Sequence, residues 1–133
     1  MPDEGPTTGT SSRTTVRHAA EASHESGLRP FFTYRDLGIR GATGGGYGAH
    51  VVRAVPGVQA EPLWHTHSLA FQIVFVLKGW VRFEYGDIGE VLLQPGDSVY
   101  QPPGIRHREL AHSEDMELLE ITSPAEFATA LAP

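Results

Sequence analysis

Pro62-Leu63-Trp64-His65-Thr66-His67-Ser68-Leu69-Ala70-Phe71-Gln72-Ile73-Val74-Phe75-Val76-Leu77-Lys78-Gly79 is the most informative part of the chain. Two histidines separated by a single residue point the same way only on extended backbone, where side chains alternate between faces. The run after them holds several β-branched and aromatic residues, which favour a strand. His65 and His67 are therefore expected to converge on one point from a strand or its edge. Neutral imidazoles so placed suit a divalent transition metal.

Two ligands rarely close a site. Downstream, Pro95-Gly96-Asp97-Ser98-Val99-Tyr100-Gln101-Pro102-Pro103-Gly104-Ile105-Arg106-His107 offers two turn-forming clusters, a short strand and a third histidine. Together the two segments resemble the cupin family. Its first motif pairs His-x-His with a glutamate and then a glycine; here His65, His67 and Gly79 fit, with Gln72 at the glutamate position and the motif's leading glycine absent. Its second motif is met by Gly96, Pro102, Gly104 and His107, with Ala111 where the family has asparagine.

The resemblance implies an all-β fold, the cupin double-stranded β-helix or jelly-roll barrel, with His65, His67, Gln72 and His107 as metal ligands. Alternation supports the same grouping, because Gln72 shares its parity with Val74 and Val76. The competing reading is three histidines that only form hydrogen bonds in a polar barrel mouth. Gln72 is the informative departure, since an amide brings a carbonyl oxygen but no negative charge. Four neutral ligands leave the ion's double charge intact and attractive to an anion. If the amide does not bind, three histidines remain.

Without thiolates, Fe is the expected metal, and Zn, Ni, Cu and Mn also suit the set. Some cupins with three histidine ligands are dioxygenases, so an Fe(II)-type oxygenase acting on a small organic molecule leads the functional readings. A non-oxidative isomerase, lyase or decarboxylase, and a non-catalytic ligand- or metal-binding cupin, stay open, because fold alone does not fix chemistry. Glu109 shares the parity of His107 and is either a cavity acid–base group or a surface partner of Arg106 or Arg108. His50 is a weaker candidate, and His112 is expected at the surface. Leu63, Leu69, Val74 and Val76 should line the pocket, with Phe83 and Tyr85 or Val99 and Tyr100 beside them, and Trp64 should face away.

Composition bounds the rest. The 133 residues make one domain, with no cysteine for disulfides or thiolate sites. The net charge of −6 with scattered basic residues argues against a nucleic-acid partner. No apolar run approaches the ~20 residues that cross a bilayer, and no basic-then-apolar leader opens the chain. The expectation is a cytoplasmic protein with no membrane partner.

Residues 1–27 are rich in Thr, Ser, Gly and Glu and are read as a flexible tail, with residues 28–133 as one barrel domain. Gly44-Gly45-Gly46-Tyr47-Gly48-Ala49 imitates a dinucleotide fingerprint, but it leads into a strand-like run rather than a helix and is rejected. Short strands are expected over residues 31–34, 49–53, 71–77, 81–85, 90–93, 98–101, 107–111 and 117–121. The strand at 71–77 is apolar on both faces, so a homodimer is expected to cover one of them. Ser123-Pro124-Ala125-Glu126 reads as a capping box that opens a short helix over Pro124–Leu131.

Overall fold

The computed structural model describes residues 13–27 and 29–133, so residues 1–12 of the expected tail lie outside it. Within residues 13–27, a single helical turn at Ala19–Glu21 precedes a short strand, Glu25–Ser26 (β1). That strand pairs antiparallel with Phe32–Asp36 (β2), with Glu25 opposite Tyr34. One helical turn, Ile39–Ala42 (α1), leads through the glycine-rich loop into Gly48–Ala54 (β3).

The chain then runs through His65–Ser68 (β4), Phe71–Lys78 (β5), Val81–Tyr85 (β6), Gly89–Leu93 (β7), Ser98–Tyr100 (β8), His107–His112 (β9), Glu117–Ser123 (β10) and Ala128–Leu131 (β11). Two antiparallel sheets result. One has the order β1-β2-β3-β10-β5-β8 and the other β11-β4-β9-β6-β7. Facing sheets whose neighbours are mostly distant in sequence give the jelly-roll barrel expected from the motifs.

The interior is layered by register. Val52, Leu118 and Val76 lie side by side across β3, β10 and β5, and the next inward set is His50, Glu120 and Val74. The set after that is Gly48, Thr122 and Gln72. The barrel thus grades from apolar to polar along two residues' steps of each strand. Val76, Val81, Leu93 and Met116 fill the apolar end. Gly79 makes the tight β5–β6 turn at φ 70°, where a Cβ would sit 2.9 Å from the Met116 Cα. Only glycine meets both demands there.

The terminal helix is not formed; this expectation is corrected by β11, which pairs with β4 from Ala128↔Ser68 to Leu131↔His65. The capping groups are engaged elsewhere. Ser123 Oγ donates to Gly46 O at 2.8 Å, Ala125 N–H donates to Gly45 O at 3.0 Å, and Glu126 pairs with Arg40 at 2.7 Å. Local capping chemistry is outweighed by contacts with a loop distant in sequence.

Candidate metal centre

β4 and β9 are joined where His65 lies directly opposite His107. Alternation carries His67 to the same side as His65, so three imidazoles meet at one point. One ligand atom from each lies within 4.8 Å of the others. The ring centroids of His65 and His107 are 4.3 Å apart, and that of His67 lies 4.9 and 5.0 Å from theirs.

Hydrogen bonds set which nitrogen each ring offers. His65 Nδ1 donates to Leu63 O at 2.8 Å, and His107 Nδ1 donates to Ile105 O at 3.0 Å. A carbonyl oxygen only accepts, so these rings carry their proton on Nδ1 and present a lone pair at Nε2. His67 Nδ1 lies 2.8 Å from Thr129 Oγ1 on β11. Burial lowers all three below the ordinary histidine value of 6.5, His67 to about 3 and His107 to about 4, and at His67 and His107 the neighbouring imidazoles push the same way. Neutral rings with free Nε2 lone pairs are the donor set that a divalent transition metal requires.

The rings are braced from behind. Tyr85 stacks on His107 at 5.8 Å and 22°, and its hydroxyl donates to Gln101 Oε1 at 2.7 Å. Phe127 packs edge-on against His67 at 5.2 Å. Trp64 faces away, with the guanidinium of Arg106 3.8 Å over its ring and that of Arg108 4.5 Å away.

The histidines open on a cavity of about 360 Å³, lined also by Gln72, Val74, Phe83, Glu109, Leu118, Glu120 and Arg29. Val74 and Phe83 line it as expected, whereas Leu63 and Tyr100 are exposed. Gln72 is buried, and its Nε2 donates to Glu120 Oε2 at 2.8 Å. His50 lines the same cavity without joining the histidine cluster, and lies 3.8 Å from Asp36 Oδ1.

Glu109 faces inward, and Arg108 pairs instead with Glu84. His112 is buried, which corrects the expectation of a surface position. The cause is a bulge: Phe83 opposes Glu109 but its neighbour Arg82 opposes Ala111, so Leu110 is an extra residue in β9. The alternation resets, and His112 Nδ1 meets Glu109 Oε2 at 2.8 Å. Glu109 Oε1 has no partner among the described residues. A bare buried acceptor costs roughly 1–3 kcal/mol. Burial raises the carboxyls of Glu109 and Glu120 above the ordinary 4.5, opposed by the hydrogen bonds from His112 and Gln72.

Sequence reasoning missed Arg29, Tyr85 as a brace, Glu120, Phe127 and Thr129. Glu120 alone left a signal, the even parity it shares with Leu118 and Thr122 in β10.

The same architecture recurs among solved structures. KdgF from Halomonas sp. is matched at TM-score 0.65 and 21% identity, over 84% of this chain and 96% of that one. A cupin-superfamily sugar phosphate isomerase from Silicibacter pomeroyi is matched at 0.70 and 18%, over 90% and 82%. The Fe(II) form of HppE is matched at 0.64 and 17%, over 85% of this chain and 62% of that chain. These identities establish fold alone. No curated protein is detectably similar in sequence. The cupin domain family model matches residues 50–122, more than half of the chain, and those residues include all three histidines. The chain belongs to the cupin family.

Proposed function

We propose that the protein is a metal-dependent cupin that acts on a small organic molecule, with His65, His67 and His107 as ligands and Gln72 Oε1 as the fourth. The observation that carries this reading is the convergence of three neutral imidazoles, within 4.8 Å of one another, on a cavity of about 360 Å³. With its Nε2 donating to Glu120, Gln72 has only its carbonyl oxygen to offer a cation.

Iron is the proposed ion and oxygenation the leading reaction. An Fe(II) ion, when bound, supplies the redox chemistry such a reaction needs. The chain's own part is to hold His65 and His107 in one tautomer beside His67, to shield the site with Phe127 and Phe83, and to seat the substrate between polar and apolar walls. Metal content of protein purified without added metal, followed by oxygen uptake of the iron-loaded protein with catechols, diketones and thiol acids, tests the proposal. A protein that takes up no supplied metal ends it.

A non-oxidative isomerase, lyase or decarboxylase is the second reading. It is favoured by the carboxylates of Glu109 and Glu120 in the cavity wall. The sugar phosphate isomerase and the nucleoside dehydratase Pac13 among similar structures show such reactions on this scaffold. Oxygen uptake that stays at background with iron bound selects it. No helix of the described residues is long and apolar enough to cross a membrane. We place the protein in the cytoplasm as a homodimer, paired through the outer face of β5 and β8, where Phe71, Phe75, Leu77 and Tyr100 are exposed.

A further inference from the structure

Glu109 is 7% exposed, lines the cavity and has one oxygen committed to His112 and the other bare among the described residues. Packing against Phe31 and Phe32, with ring centroids 6.1 and 5.5 Å away, holds the His112 ring. The carboxylate is therefore fixed before any ligand arrives, and Oε1 is an acceptor lacking a donor. A hydroxyl suits it better than an ammonium. It both donates and accepts, so it matches Oε1 whichever protonation state the buried carboxyl holds, and it enters an apolar-walled cavity without carrying a buried charge.

Arg29 supplies the opposite character. It lines the same cavity and pairs with no carboxylate among the described residues, although Glu61, Glu109 and Glu120 line that cavity too. Its charge is felt at His65, His67, His107, Glu109 and Glu120, which places it within electrostatic reach of the whole cavity. A guanidinium of this kind, on a residue of the cavity wall, suits a carboxylate. Val74, Phe83 and Leu118 give the wall an apolar stretch.

We infer that the ligand is a small hydroxy acid, its carboxylate drawn to Arg29 and the three-histidine centre and a hydroxyl received by Glu109 Oε1. This rests on the metal-centre reading above and names the substrate class for it.

The test uses full-length protein. Zinc binding is measured first by calorimetry on the wild type and every variant. Butanoate and its 2-, 3- and 4-hydroxy derivatives are then titrated into the zinc-loaded forms. At least one hydroxy acid should bind about tenfold tighter than butanoate, and Glu109→Ala should erase that preference while leaving butanoate affinity in place. Glu109→Leu/His112→Phe removes both polar partners together, a change that cores tolerate better; it should erase the preference equally. Arg29→Gln should weaken all four acids by about tenfold. If the wild type binds the four acids alike, or the preference survives both Glu109 variants, the assignment is overturned while the metal centre stands. A wild type that binds no zinc overturns the metal centre and this assignment together.

Discussion

Thr129 Oγ1 lies 2.8 Å from His67 Nδ1, although 62 residues separate them in the chain. β11 brings the hydroxyl there by pairing along β4, the strand that carries two of the three imidazoles. The Ala132 N–H donates to Trp64 O at 2.9 Å, and Arg106 reaches Pro133 O at 3.1 Å. The C-terminal strand is thereby tied to the histidine cluster.

Groups that orient a metal-bound histidine typically contribute 10–100-fold in affinity. Thr129→Val should therefore weaken zinc binding about tenfold, and Thr129→Ser should restore most of it. Competition with a chelator of known affinity reads the difference. Equal affinity in Thr129→Val would show that β4 alone orients His67.

Gln72→Ala should loosen metal retention by about tenfold if the amide oxygen is a ligand, whereas loss of any one histidine should abolish retention during gel filtration. An unchanged affinity in Gln72→Ala leaves a three-histidine centre. The variant also frees Glu120 from the amide that donates to it, so thermal stability must be recorded alongside.

The pH response has a defined sign. The three histidines have folded-state values below 6.5, so between about pH 3 and 6.5 the unfolded chain binds more protons. Their contribution to stability is whole above pH 6.5 and is lost as pH falls through that window. The raised carboxyls of Glu109 and Glu120 act in the opposite sense, favouring the folded state at low pH. A triple variant, His65→Ala/His67→Ala/His107→Ala, retains those carboxylates. The metal-free wild type should therefore lose more melting temperature than the variant between pH 7 and pH 4. Parallel curves in scanning calorimetry would contradict the assignment of neutral, desolvated imidazoles.

Light scattering on the purified protein should give a mass twice the 14.5 kDa of one chain. Phe75, 40% exposed on β5, is the residue to change: Phe75→Glu should shift the population to monomer with the barrel intact by circular dichroism. A wild-type monomer leaves the apolar face uncovered by a second copy.

The strands and the histidine cluster were legible because both depend on alternation and turn residues, which are local signals. β6 falls at Val81–Tyr85, as expected from its residues, and the glycine-rich run leads into β3 rather than a helix. What failed depended on distant partners. Ser123 and Glu126 carry a helix-start signature, yet Gly46 and Arg40 claim their side chains. Parity could group Leu63 with His65 but could not say where β4 begins, and Leu63 lies before it, exposed. Arg29 sits in a segment with no motif and Thr129 in one whose capping signature points to a helix, and only the closed barrel brings them to the site. Glu120 shows only its parity with Leu118 and Thr122, a faint signal because a glutamate in a strand usually marks the solvent face.

Leu110 shifts the frame in which β9 displays its side chains. Upstream of it odd-numbered positions look inward; past it, the even-numbered His112 does. Deleting this one residue would restore plain alternation, with Glu109 and His112 still on the inner face but two residues apart along the strand instead of three. The chemistry of the wall is thus encoded partly in a length, and a comparison that aligns identities but ignores that insertion would assign the couple to the wrong strand position.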